Sequence, residues 1–192
     1  KLFRVEISDE GVAALGALPN LGVLDLDSTP ISGRVLEAIS GFPALRSLSL
    51  NNTDVDAAGL AALQGLPSLN TLNLVRLQSF TPDMIAAIAA HPNLATIGLT
   101  LNPVGASIHD LAGSNVQQLG LLSAGISDED GVALGELSEL VNLSANGNPI
   151  GDETIAAIAG LPKLNLLQIP STAVTDAAGH PGPLVEGERG DL

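Results

Sequence analysis

A leucine pattern that recurs along the 192-residue chain constrains its fold more than any other feature. The pattern L-x-x-L-x-L begins at Leu21 and recurs, with aliphatic substitutions, from positions 45, 69, 94, 116, 140 and 164. Successive starts are 24, 24, 25, 22, 24 and 24 residues apart, and Leu2 and Ile7 fit a truncated unit before the first. Units of this length bury their apolar faces only against their neighbours. The sequence therefore predicts a stacked array of units.

Each unit divides into two halves with different hydrophobic periods. In the first half apolar and polar residues alternate, as in Leu24-Asp25-Leu26, which is typical of a short strand with one buried face. In the second half apolar residues recur at helical spacing among alanines, as at Leu60 and Leu63. Acidic residues precede these stretches, where they cap free N–H groups, and prolines follow them. Every unit is predicted to form a strand, a turn and a helix.

The extended pattern L-x-x-L-x-L-x-x-[NT]-x-[IV] resembles that of the leucine-rich repeat family over about residues 2–176. Its polar position, with Ala124 as a departure, holds Thr29, Thr53, Asn102, Asn148 and Thr172. The 24-residue length is similar to that of bacterial members with a helical convex side, among them effectors of plant pathogens. The resemblance implies an α/β solenoid with a parallel sheet on the concave face and helices on the convex face. We expect the array to span residues 1–176, as about seven units after a truncated one, and residues 177–192 to form an irregular tail or cap.

Composition disfavours several classes of function. The 7 Lys and Arg against 21 Asp and Glu give a net charge of −14, which disfavours binding to a phosphate backbone. No apolar run approaches the ~20 residues of a membrane-spanning helix, and the chain has no Cys for disulfides or thiolate metal sites. Eleven of the carboxylates lie at turn-to-helix junctions, where capping accounts for them. We expect no nucleic-acid partner, no membrane insertion and no cofactor.

No catalytic or metal-binding pattern occurs in the sequence. The histidines, His91, His109 and His180, lie in separate units, and His91 shares the register of the apolar Leu66. The acidic run 128–130 lacks the ligand spacing of a calcium loop, and neither a phosphate-binding loop nor an H-E-x-x-H motif is present. The segment is therefore predicted to be non-enzymatic and to hold no metal.

Candidate partner-binding residues occupy the strand positions expected to point away from the core. Most are small, polar and uncharged. Asp25 and Asp27 are the carboxylates that helix capping does not explain; as residues i and i+2 of a strand they share a face and could attract a basic partner or a weakly held cation. Two interpretations stay open: a face that binds through hydrogen bonds and shape, and a solvated sheet whose Asn and Ser serve solubility. The scarcity of aromatic anchors predicts modest affinity. The candidates in these columns are Asp25, Asp27, Arg46, Ser49, Asn51, Asn73, Gln118, Asn142, Asn146 and Gln168.

The middle of the array departs from the regular spacing. The unit that begins at Leu69 gains one residue, and the unit that begins at Leu94 loses two and lacks a clean helix. Such irregularity marks a bend or a partner contact in some solenoids and is neutral length drift in others, and both interpretations stay open. If a partner binds there, we expect the contacts at Arg76, Leu77, Leu101 and Leu122.

Three functions are compatible with these observations. The first is a non-enzymatic module that binds a protein partner through the concave sheet face. The second is the substrate-recruiting repeat domain of a larger secreted effector or ligase-type enzyme, with its catalytic domain outside this chain. The third is a surface spacer or adhesin that binds glycans. Because the chain opens at Lys1 inside a unit, we expect it to be part of a longer polypeptide, and a secreted or cell-surface bacterial location is favoured over a cytoplasmic one.

Overall fold

The computed structural model describes residues 7–14, 18–170 and 173–175. Within them, short strands alternate with short helices, and each strand pairs in parallel with the next to give one seven-stranded sheet. The strands are Val23–Asp25 (β1), Ser47–Ser49 (β2), Thr71–Asn73 (β3), Thr96–Gly98 (β4), Gln118–Gly120 (β5), Asn142–Ser144 (β6) and Leu166–Gln168 (β7). The parallel α/β array predicted from the repeat is confirmed.

Equivalent positions of neighbouring units pair in the sheet. Leu48 lies opposite Leu72, and Leu72 lies opposite Ile97 although the intervening unit is one residue longer. Ile97 lies opposite Leu119 across the unit that is two residues shorter. The changes in length are therefore absorbed outside the strands, in the turns and helices, and the sheet keeps its register.

The helical half of each unit is short. The α-helices are Asp9–Ala13 (α1), Arg34–Ile39 (α2), Ala57–Ala62 (α3), Asp83–Ala89 (α4), Asp128–Gly131 (α5) and Asp152–Ile158 (α6). Tighter 3₁₀ helices extend α3 over Leu63–Gly65 and α5 over Val132–Glu136. A 3₁₀ helix over Gly105–Leu111 replaces the α-helix in the shortened unit, which agrees with the prediction that this unit lacks a clean helix.

One continuous core runs through the described units, from Val12 to Ile158. The middle residue of each strand from β1 to β6 is buried, and the apolar residues of the helical halves pack into the same cluster. Leu60 and Leu63, predicted from helical spacing, are both buried, and so is Leu48 from the strand pattern. The apolar residues of the strand half and those of the helical half thus pack against each other in the described units.

The position three residues after the last apolar residue of each pattern, which we call the ladder position, is buried in the six units from Thr29 to Asn148. Thr53 donates to the carbonyl of Leu50 in its own unit. Asn148 serves two units: Oδ1 accepts from the N–H groups of Ala124 (2.9 Å) and Ile126 (3.1 Å). Its Nδ2 donates to the Leu121 carbonyl of the preceding unit (2.7 Å) and to the carbonyl of Ala145 in its own unit (2.9 Å). An asparagine at the ladder position therefore makes the hydrogen bonds that the apolar ladder residue of the preceding unit cannot make.

Leu77 corrects one of the predictions made from sequence. We expected it to contact a partner, but it occupies the ladder position after Leu74 and only 8% of it is exposed. Its N–H donates to Oδ1 of Asn102 in the next unit (2.8 Å), which parallels the contact between Asn148 and Ala124. Leu77 is therefore a core residue, because the extra residue of its unit is inserted after the ladder position and not before it.

Acidic residues at the helix starts accept hydrogen bonds either from their own helix or from the next unit. Asp56 caps its own helix, since Oδ1 accepts from the N–H of Gly59 (2.8 Å). Asp128 instead accepts from the next unit, at Gly151 N–H (2.7 Å) and at the N–H and hydroxyl of Thr154 (2.9 and 2.8 Å). Burial raises the pKa of the Asp128 carboxyl, but donations from Thr154 and Gly151 outweigh it, so the pKa is lowered. The predicted capping role thus extends to links between units.

The ends of the predicted array lie largely outside the described residues. These include the truncated unit at residues 1–6, the ladder residue Thr172 and the predicted tail 177–192. The bounds of the array remain a prediction.

Candidate functional site

The sheet has one face away from the core, which we call the open face. In the strands β2, β3, β4 and β6 the middle residue is buried and its two neighbours are half-buried. The third strand residues align as a column from Asp25 to Gln168. Backbone hydrogen bonds beyond the strands, such as Ser28 N–H to the Asn51 carbonyl and Gly147 N–H to the Pro170 carbonyl, align the residues two positions later in the next column, from Asp27 to Pro170. The columns predicted from the repeat register are those that the strand pairing gives.

Asp27 is held by hydrogen bonds from the neighbouring unit. Its carboxylate accepts from the Ser49 hydroxyl (2.6 Å), the Asn51 N–H (2.9 Å) and the Asn51 side-chain amide (2.9 Å). Asp25 lies beside it and accepts from the Asp27 N–H (3.3 Å). These four candidate residues form a cluster at the β1–β2 end of the open face, and the oxygens of Asp27 are used within it.

Asn51 and Asn146 occupy equivalent positions but differ in their contacts. Oδ1 of Asn51 accepts from the N–H of Val75 in the next unit (2.7 Å). The equivalent donor for Asn146 would be residue 170, which is a proline and has no N–H. Oδ1 of Asn146 is buried and makes no hydrogen bond with the described residues. The side-chain link between units is therefore interrupted between β6 and β7.

A shallow depression of about 320 Å³ lies on the open face between β3 and β7. Its floor contains glycine at two paired positions, Gly98 of β4 and Gly120 of β5. The side chain of Asn73 leans over Gly98, since its Oδ1 lies 2.9 Å from where a Cβ on that glycine would be. Gly98 thus leaves room for the Asn73 side chain, and no side chain projects from two adjacent positions of the column.

Four of the predicted residues line this depression, and their polar groups are available to a ligand. They are Asn73, Gln118, Asn142 and Gln168. Within the described part of the chain, none of these side-chain amides hydrogen-bonds to another residue. They contrast with the Asp27 cluster, whose polar groups bind one another. The sequence had singled out these four residues but not Gly98, Gly120 or Thr96, although two aligned glycines in neighbouring units were a readable signal.

The remaining candidates lie at the two edges of the open face. Arg46 precedes β2 at the amino-terminal edge of the strands and is exposed. Arg76, Leu101 and Leu122 follow β3, β4 and β5 at the carboxyl-terminal edge, where Leu101 is 47% and Leu122 40% exposed. These three residues therefore lie at the edge opposite Arg46 and are exposed, whereas Leu77 is buried.

The titratable groups of the described residues do not gather into a metal-binding cluster. No three His, Asp or Glu side chains among them converge as metal ligands. His91 is buried; its Nδ1 accepts from the N–H of Asn93 (3.2 Å), and its Nε2 has no hydrogen-bond partner in the described structure. Burial lowers the pKa of His91, while the backbone carbonyls of Leu66 and Leu63 oppose the shift. No helix among the described residues is both long and apolar enough to cross a membrane.

Comparison with known proteins shows likeness at the level of structure. Neither a protein-family model nor a curated protein sequence matches this chain. The internalin inlF of Listeria monocytogenes matches with a TM-score of 0.52 at 23% identity, over 81% of this chain and 50% of the internalin. Internalin C2 of the same bacterium matches with a TM-score of 0.59 at 23% identity, over 88% of this chain and 69% of that one. The plant peptide hormone receptor RGFR1, solved in complex with RGF2, matches with a TM-score of 0.47 at 23% identity, over 91% of this chain and 32% of the receptor.

At this identity the likeness to the internalins concerns the fold, and the chain spans half the length of the internalin inlF. The fold itself is supported by three agreeing observations: the leucine pattern, the addition of one parallel strand per unit, and the buried polar ladder. The chain therefore has the leucine-rich-repeat fold, an open α/β solenoid with a parallel sheet on one side and helices on the other.

Proposed function

We propose that the chain is a non-enzymatic recognition module that binds a protein partner on the open, concave face of its sheet. The observation that carries the proposal is the depression, where four unpaired side-chain amides surround a floor of two glycines. Amide groups both donate and accept hydrogen bonds, so they match the backbone of a protein segment. The glycine floor lets such a segment approach the sheet closely.

The charge of this surface supports a protein ligand that is not strongly basic. The depression contains no charged residue, although the chain as a whole has a net charge of −14. Its polar groups can therefore bind a ligand without removing a charge of this chain from water, and removing charges from water carries a large free-energy cost in polar interfaces. The lack of Trp and Tyr anchors is consistent with modest affinity.

The test is selection of binders from a displayed library of folded protein fragments on the immobilised chain. Selected binders are then measured against the open-face variant Asn73→Ala/Gln118→Ala/Asn142→Ala. We expect at least a tenfold loss of affinity. A matched variant on the helical side, Arg34→Ala/Glu37→Ala/Gln64→Ala, removes three exposed side chains and should bind as the wild type does. If the affinity of the binders is unchanged by the open-face variant but lowered by the variant on the helical side, recognition takes place on the opposite side of the solenoid.

The finer parts of the proposal concern source and context. The fold likeness to two Listeria proteins supports a bacterial source, and we place the module in a secreted or cell-surface protein. Within a longer polypeptide it could recruit substrates to an effector or ligase-type catalytic domain. Sequencing of the intact gene product tests this, since the absence of any further domain would exclude it. A glycan ligand is the alternative for the same depression, and a glycan array distinguishes it from a protein segment.

A further inference from the structure

The turn after each strand from β1 to β6 contains a residue in the left-handed region of backbone space. This turn column comprises Ser28 (φ 56°), Asn52 (φ 55°), Arg76 (φ 53°), Leu101 (φ 61°), Ser123 (φ 50°) and Gly147 (φ 68°). Glycine and asparagine tolerate this conformation well, whereas a bulky aliphatic residue rarely adopts it. The exposure of Leu101 is also unfavourable, because 47% of this apolar residue is in contact with solvent. Strained residues of this kind cluster at ligand-binding positions.

Leu101 has an exposed apolar neighbour. Its N–H donates to the carbonyl of Leu122 (2.8 Å), and Leu122 is 40% exposed. The Arg76 N–H donates to the carbonyl of Thr100 (3.0 Å), which places Arg76 one unit before Leu101 in the turn column. Arg76, Leu101 and Leu122 thus follow three neighbouring strands, β3 to β5, at the carboxyl-terminal end of strands that line the depression, and we call these three residues the edge patch.

The edge patch carries a positive charge on an acidic protein. The strand-and-turn segments 69–77, 94–102, 116–124, 140–148 and 164–170 contain no Asp or Glu, and Arg76 is their only charged residue. Arg76 is exposed, and the ion pair found in the described part of the chain joins Lys163 and Glu139 instead. An arginine without an internal carboxylate, beside two exposed leucines, is complementary to a ligand with the opposite arrangement.

We propose that the edge patch docks an extended peptide segment of the partner that presents an aliphatic side chain next to a carboxylate. The aliphatic side chain covers Leu101 and Leu122, and the carboxylate pairs with Arg76. The peptide backbone continues into the depression, where the amides of Asn73 and Gln118 bind it. This inference rests on the proposed function and adds the chemistry of the ligand to it.

The probe is a displayed library of random linear peptides, selected on the immobilised full chain. We expect enriched peptides to share an aliphatic residue within two positions of Asp or Glu. For synthetic copies of these peptides, Leu122→Ser and Leu101→Asn should each weaken binding at least tenfold. Val132→Ser and Arg34→Gln, which alter an exposed valine and an exposed arginine on the helical side, should leave binding unchanged.

Two further measurements separate docking from a merely structural role. Asn suits the left-handed conformation, so Leu101→Asn should raise the midpoint of thermal unfolding while it weakens binding. Replacing the peptide carboxylate by its amide should weaken binding to the wild type about tenfold but hardly change binding to Arg76→Gln, because the pairing partner is already absent.

Each contrary outcome is informative. A library that yields no binders, or binders without the aliphatic–acidic pair, overturns the peptide ligand. If binders respond to Asn73→Ala/Gln118→Ala/Asn142→Ala but not to Leu122→Ser, Leu101→Asn or Arg76→Gln, the proposed function stands and the edge patch is wrong. Concentration-dependent self-association that Leu122→Ser abolishes would assign the patch to a second copy of this chain and would also overturn the proposal.

Discussion

Asn148 shows how one buried side chain links two units. Four of its hydrogen bonds, of 2.7 to 3.1 Å, reach backbone groups of its own unit and of the preceding one, where Ala124 has no polar side chain of its own. Asn148→Ala leaves these buried groups without partners, so we expect it to lower the free energy of unfolding by about 3 kcal/mol. Urea denaturation followed by circular dichroism measures the change.

Thr53 provides the comparison at the same ladder position. Its hydroxyl makes one hydrogen bond, to the Leu50 carbonyl, and Val has nearly the same shape. Thr53→Val should therefore lower the free energy of unfolding by only about 1 kcal/mol. Equal losses for Thr53→Val and Asn148→Ala would show that the asparagine does not serve the preceding unit.

His91 is expected to make stability depend on pH. Burial lowers its pKa in the folded chain below the ordinary histidine value of 6.5, so below that pH the unfolded chain binds more protons than the folded one. Stability is then unaffected above about pH 6.5 and falls as the pH decreases from there towards the folded pKa. His91→Leu, which matches Leu66 at the same register, should reduce the loss in urea midpoint between pH 7.5 and pH 5.5.

The exposed His109 provides the control for this measurement. His109→Gln changes a solvent-facing residue of the 3₁₀ helix and should leave the loss of stability between the two pH values as it is in the wild type. If His91→Leu and the wild type lose the same stability on acidification, the pH dependence arises elsewhere.

At the scale of elements, two neighbouring helices approach through glycine. A Cβ on Gly59 of α3 would lie 2.5 Å from the carbonyl oxygen of Gly33, which precedes α2, and 2.6 Å from its Cα. Both contacts are with backbone atoms of Gly33, and moving backbone costs more free energy than rotating a flexible side chain. We therefore expect Gly59→Ala to lower the free energy of unfolding by about 1–3 kcal/mol, as overpacking does, in a urea titration.

Gly160 offers a matched substitution after another helix of the array. A Cβ there would meet no atom within 4 Å, and the residue is exposed. Gly160→Ala should change the free energy of unfolding by less than about 0.5 kcal/mol. A large loss for Gly160→Ala as well would mean that helix-end glycines matter for their backbone freedom and not for close packing.

The sequence predicted these elements well but not how they are joined. The strands and helices follow from apolar spacing within one unit, as at Leu60 and Leu63, which is local information. The contacts of Asp128 with Gly151 and Thr154 cross from one unit to the next. The sequence indicated a cap at this acidic residue but could not say which helix the carboxylate would reach.

For the whole molecule, charge is distributed unevenly. The strand-and-turn segments of β3–β7 contain no carboxylate, so the charge of −14 is concentrated on the rest of the chain. Repulsion among these charges opposes the compact state, and salt screens it. We expect sodium chloride to raise the free energy of unfolding by roughly 1 kcal/mol or less, the scale of exposed charge interactions.

A variant with fewer exposed carboxylates tests the origin of this effect. Glu37→Gln/Asp110→Asn/Glu136→Gln removes three negative charges from solvent-facing positions. It should be more stable than the wild type at low salt and should gain less from sodium chloride. An unchanged gain would show that salt acts through something other than repulsion between carboxylates.

The sequence alone determined the unit length, the strand register and the α/β solenoid, because a 24-residue apolar repeat leaves one way to bury every unit. Only the tertiary structure decided which polar residues are available for binding. Asp27 and Asn73 both belong to the predicted open-face columns, yet Asp27 is bound by Ser49 and Asn51 while Asn73 stands free beside Gly98. Leu77 and Leu101 both belonged to the irregular middle, yet one is buried and the other exposed. The physical reason is that these outcomes depend on side chains one unit away, which contact each residue only after the units have stacked.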